Sequence, residues 1–120
     1  MVFVTPGAAS ARDRFAHDLG LTVERFRGLG LARLGAPWGD DGGTRADAGH
    51  ALAQALADAS ADLRGEPRRP VPRLADAAVG DQLAVCGHEL EAAADEHPGE
   101  AAERALLTAA DALLDLRRRL

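Results

Sequence analysis

Apolar residues recur every three or four positions along most of the chain, which is the spacing of an amphipathic α-helix. Four segments show this pattern. We predict helices over 10–34, from just after Thr44 to a cap at Gly65, over 75–96 and over 100–118, with a short N-terminal arm at 1–9. Glycines weaken the first of these helices, so it is either continuous or broken near Gly20 or Gly28.

Local signals mark where these predicted helices begin and end. Thr44 and Asp47 have the spacing of a capping box, in which each residue bonds the backbone N–H of the other. Gly65 suits the left-handed C-terminal cap of the same helix. The segment 66–73 (EPRRPVPR) holds three prolines, so we expect an extended, stiff connector there.

Four helices of this length in 120 residues predict one all-α domain spanning 1–120. Each must bury an apolar stripe, and an antiparallel four-helix bundle, made of two helical hairpins joined by the 66–73 connector, does this. The composition agrees: 3% of residues are aromatic, isoleucine is absent, and Ala and Leu supply most of the apolar positions.

The charge balance argues against nucleic acid as a partner. Fourteen cations, all Arg, face nineteen carboxylates, for a net charge of −5, whereas nucleic-acid binding usually needs a basic face. No apolar run approaches the length of a membrane span, and the N-terminus lacks the charged start of a signal peptide. Cys86 is the single cysteine, so we expect a cytoplasmic protein without disulfides.

Every charged side chain from Asp76 to Glu103 is acidic, whereas the segment from Arg12 to Arg33 carries a small basic excess. The acidic residues form either a solvated face or a surface on which the Arg-bearing N-terminal helix docks, in the same chain or in a partner.

The predicted third helix carries an unusual strip of small residues. Gly80, Ala84 and Gly87 lie on one side of it, next to His88. Glycine destabilises a helix interior, so a close contact with another element must offset that cost. The strip therefore fits internal packing, a homodimer interface that includes His88, or a ligand that approaches the backbone.

Two carboxylate–histidine pairs are candidates for metal binding, because such pairs at i, i+3 share a helix face and can ligate metals in bundles. They are His88 with Glu91 and Asp47 with His50. The apolar stripes lack the further inward carboxylates of a di-iron site, so we expect no metal, cofactor or catalytic residue.

The stretch VGDQLAVCGHEL, residues 79–90, resembles a segment of small actinobacterial proteins of unknown function, in which a helix and a Pro/Arg-rich linker also precede it. The resemblance covers about Ala46 to Leu120. It implies a single helical domain and carries no activity.

The turn Trp38–Gly39–Asp40–Asp41 resembles that of the WxG-type helical hairpins exported by type VII secretion. This chain departs from that family, because Gly39 follows Trp38 directly and a second hairpin follows the first. The resemblance implies an exported hairpin protein as one alternative.

Together these observations predict a non-enzymatic protein–protein interaction module that self-associates, as a homodimer, through the third or fourth helix. A metal-binding bundle enzyme and the exported hairpin are the alternatives.

Overall fold

The computed structural model describes residues 6–120, with side chains described from residue 11 onwards. Within that range the chain is helical and contains no β-strand, which confirms the all-α prediction for this part. The helices are α1 (Pro6–Arg27), α2 (Leu31–Gly35), α3 (Arg45–Arg64), α4 (Val79–Glu96) and α5 (Glu100–Arg119), and one 3-10 turn, Asp76–Ala78, leads into α4.

The first helix differs from the prediction at both ends. It begins at Pro6, so residues 6–9 of the predicted arm are helical, while residues 1–5 of that arm lie outside the described residues. It also ends at Arg27 instead of continuing to Leu34. Glycine at positions 28 and 30 favours this break, and the bend lets Leu29 and Leu34 both enter the core.

The ends of α3 confirm the predicted caps. The Thr44 side chain accepts a hydrogen bond from the Asp47 N–H, and the Asp47 carboxylate accepts one from the Thr44 N–H, each at 3.0 Å. Gly65 adopts a left-handed conformation with φ 67° and ψ 28°. That conformation turns the chain out of the helix and into the connector.

The connector returns the chain along the length of α3, so that α3 and α4 run in the same direction. Gly49 near the start of α3 faces Val79 at the start of α4, and Arg64 pairs with Glu96 at their far ends, at 2.9 Å. The ten residues 66–75, which include the connector and lead to the 3-10 turn, span about 31 Å when extended, close to the ~30 Å length of a 20-residue helix. The connector is therefore long enough to make this return.

Side chains from both helices hold the connector in place. Gln54 accepts from the Val71 N–H at 2.7 Å and donates to the Arg69 carbonyl at 2.9 Å. His50 Nε2 donates to the Val71 carbonyl at 2.8 Å. Gln82, on α4, donates to the Pro72 carbonyl at 2.7 Å, which explains a polar residue on a buried helix face.

The first helix packs between α4 and α5. It runs parallel to α5: Asp18 pairs with Arg117 at 3.0 Å, and Arg25 donates to the carbonyl of Leu120 at 3.0 Å. It runs antiparallel to α4, because its two ends pair with opposite ends of that helix, as described below. The helices enclose a core whose largest fully buried side chains include Phe15, Phe26, Leu56, Leu83, Leu90 and Leu113.

No helix within residues 6–120 combines the length and apolar character required to cross a membrane.

Candidate functional site

Ion pairs join the acidic face of α4 to α1. Arg27 contacts Asp81 at 2.7 Å, and Arg12 contacts Glu91 and, at 3.3 Å, Asp95. These three carboxylates therefore bind Arg residues of the N-terminal helix in the same chain, as in the second of the two alternatives given for the acidic segment.

The strip of small residues on α4 lies under α1. A Cβ on Gly87 would lie 2.4 Å from a methyl of Leu19, and one on Gly80 would lie 3.0 Å from Cγ of Arg27. Both glycines are buried, Ala84 is half-buried and His88 is exposed. Internal packing therefore accounts for both glycines, while the interface role of Gly80, Ala84, Gly87 and His88 stays a prediction.

The four metal candidates do not converge. Asp47 is engaged at the N-terminus of α3 and also contacts Arg73 at 3.3 Å, while His50 is bonded to the connector. Gly49 is level with Val79. His50 lies one residue beyond Gly49 and His88 nine residues beyond Val79, so the two histidines are about 12 Å apart along the helix axis. The described residues hold no group of three or more His, Cys, Asp or Glu side chains placed to share a metal ion.

His88, Glu91 and Arg12 form a separate polar cluster. Glu91, 9% exposed, accepts from Nδ1 of His88 at 2.7 Å, and its other oxygen is bonded by Arg12. The hydrogen bond to Asp95 is the largest cause that raises the pKa of Arg12 above its ordinary value. A permanent cation thus neutralises Glu91 where a metal ion would have to bind.

This cluster borders a shallow cleft of about 230 Å³ between α1 and α4, lined by Gly20, Ala84 and Arg27 among others. The carboxylate holds the exposed His88 ring through Nδ1, an arrangement also found in proton-transfer sites. Within the described residues, however, the lining of this cleft includes no Ser, Thr or Cys that could act as a nucleophile.

Cys86 faces the opposite side of α4 from His88. It lies beside Val71 and Pro72 of the connector, and burial raises the pKa of its thiol. A protonated, buried thiol behaves as a small apolar side chain rather than as a nucleophile.

Trp38 closes the loop between α2 and α3. The backbone N–H of Trp38 donates to the Gly43 carbonyl at 2.7 Å. Its ring lies beneath two guanidinium groups, Arg45 at 5.7 Å and Arg119 at 5.4 Å from the ring centroid. The loop is thereby attached to the C-terminal end of α5.

A largely apolar groove lies between α3 and α5. It encloses about 380 Å³, and its walls carry Leu56 and Leu63, with Asp62 and Arg104 at one end. Its surface is built mainly from small side chains: Ala55, Ala59, Ala101, Ala105, Ala109 and Ala112. We did not predict this groove from the sequence, although the four-residue spacing of alanines on each helix is visible there.

Comparisons of the chain with protein-family models, curated proteins and solved structures found no match.

Proposed function

We propose that the protein is a non-enzymatic protein–protein interaction module that self-associates in the cytoplasm. In this proposal the four long helices form a bundle of two hairpins joined by the 66–73 connector. The helices are antiparallel within each hairpin, whereas α3 and α4, on either side of the connector, run parallel, which corrects the fully antiparallel arrangement expected from the sequence. The bundle presents one apolar face for association. The likeness of residues 79–90 to small actinobacterial helical proteins belongs to the same proposal.

The α3/α5 groove is the observation that carries the proposal. Interfaces are distinguished by a core depleted of charged residues, and this groove is apolar along its length, with charged side chains at one end. The polar clusters, in contrast, are engaged within the chain: Asp47 and His50 hold the start of α3 and the connector, and Glu91 is bonded by His88 and Arg12.

Sedimentation velocity over a concentration series tests the self-association. We expect the mass to rise from the 12.5 kDa of one chain towards twice that value as the concentration reaches the high micromolar range. A protein that remains monomeric throughout that range would contradict the proposal.

A further inference from the structure

The two walls of the α3/α5 groove carry opposite charges at the same end. Asp62 lies in the last turns of α3 and Arg104 in the second turn of α5, and both border the groove. No ion pair joins them, and Arg104 has no ionic partner among the described residues. The chain therefore presents an unpaired cation beside an apolar surface.

Asp62 retains room for a second partner. Arg68 donates to both of its oxygens, at 3.0 and 2.8 Å, and a carboxylate offers about four lone-pair sites. The Asp62 side chain is 53% exposed, so its remaining sites face solvent.

The helices that form the groove run in opposite directions. The end of α3 lies beside the end of α4, where Arg64 meets Glu96, and α5 starts four residues after Glu96. The C-terminal end of α3 therefore lies beside the N-terminal end of α5, and Asp62 and Arg104 face each other at the same height.

We infer that a second copy of this chain occupies the groove, with a two-fold axis parallel to the helices. Rotation about that axis keeps every residue at its own height and places α3 of one copy against α5 of the other. Asp62 of each copy then lies opposite Arg104 of the other, which gives two equivalent ion pairs around an alanine-lined contact.

Other symmetric arrangements lack this match. If the two-fold axis crossed the helices at the height of these residues, it would set Asp62 against Asp62 and Arg104 against Arg104. If the axis crossed elsewhere, Arg104 of each copy would lack a carboxylate partner, and Asp62 would keep only Arg68 of its own chain. Like charges across an interface are unfavourable, so charge complementarity selects the axis parallel to the helices. The alanine side chains then allow the helices to approach closely.

This inference rests on the proposed self-association, and charge-reversal variants test the two separately. Arg104→Glu places two like-charged pairs in the dimer, and so does Asp62→Arg. We expect sedimentation velocity to show dimerisation weakened about tenfold or more for each variant alone. Mixed in equal amounts, the variants form a heterodimer in which both pairs are attractive again, so wild-type association returns.

Arg118→Glu is the matched control. It makes the same charge change on α5, at an exposed position outside the groove, and should leave association unchanged. Circular dichroism verifies that every variant is folded.

The other possible results distinguish the groove interface from self-association as such. A wild-type dimer unaffected by either variant, or a mixture that stays monomeric, overturns the groove interface while leaving self-association intact. A wild-type protein that stays monomeric overturns both proposals.

Discussion

Gly49 is a position where one missing side chain lets three helices meet. A Cβ there would lie 2.6 Å from a methyl of Val79 and 2.9 Å from the ring of Phe26. Both neighbours are almost completely buried, at 1% exposure each, so neither can move without disturbing the core. The absence of a Cβ thus sets the spacing of α1, α3 and α4.

We expect Gly49→Ala to destabilise the protein. Overpacking a core costs about 1–3 kcal/mol, and the better helix propensity of Ala returns at most about 1 kcal/mol, so the free energy of unfolding falls. Gly20→Ala is the matched control, because nothing lies within 4 Å of its Cβ position; we expect it to stabilise α1. Urea unfolding measures both, and a Gly49→Ala variant as stable as Gly20→Ala would contradict the packing described.

At the scale of single helices, α3 shows how a few residues define an element. Hydrogen bonds from the Thr44 backbone, then from Arg73 and from the Thr44 side chain, hold the pKa of Asp47 below its ordinary value. The ionised form is therefore the one that stabilises the start of the helix. This contribution is complete above the unfolded-state pKa of about 3.9 and is lost as pH falls through the lower folded-state pKa.

Asp47→Ala should therefore destabilise the protein in a pH-dependent way. We expect a loss of about 0.5 kcal/mol at neutral pH, since the carboxylate is exposed, and a difference from wild type that shrinks as the pH falls below about 3.9. Urea unfolding across this range measures it. Asp40→Ala, in the preceding loop, is the control and should match wild type throughout; a pH-independent cost at Asp47 would rule out the carboxylate as its source.

Sequence alone predicted α3 and α5 closely, because their boundaries are encoded locally by the Thr44–Asp47 box, by Gly65 and by the Pro98–Gly99 break before α5. For the first helix the sequence allowed two alternatives, a continuous helix to Leu34 or a break near Gly20 or Gly28, and the helix ends at Arg27. A continuous helix would put Gly30 on the same apolar stripe as Phe26 and Leu34, but Gly30 is exposed, because burial of Leu29 requires the chain to bend. Long-range contacts decide such a bend, and local propensity does not encode them.

The candidate sites also combine features that local sequence encodes with features that depend on long-range packing. The pairing of His88 with Glu91 follows from helical spacing and is present. The neutralisation of Glu91 by Arg12, which lies 79 positions away in the sequence, depends on how α1 packs. The α3/α5 groove likewise requires two helices that are distant in sequence to lie side by side.

At the scale of the whole molecule, the connector determines the direction in which α4 runs. Its backbone is held by side chains of α3 and α4 rather than by a sheet or helix of its own. Gln54 supplies two of these bonds. The parallel pairing of α3 and α4 therefore depends on a few side chain–backbone contacts.

Removing Gln54 should release the connector locally. Each lost bond costs about 1 kcal/mol, so we expect Gln54→Ala to speed tryptic cleavage after Arg68 and Arg73 about tenfold. Mass spectrometry of the fragments measures it. Gly49→Ala controls for global destabilisation: if it exposes these sites as strongly as Gln54→Ala at equal stability, the contacts of Gln54 do not anchor the connector.

Trp38 is the only tryptophan in the chain, and its indole lies against Arg119 at the C-terminal end of α5. Its fluorescence therefore monitors one location, the attachment of the last helical turn to the loop before α3. Fraying of that turn will change the emission while the helical signal of the remaining molecule persists, so the protein carries an intrinsic optical probe for the opening of one end.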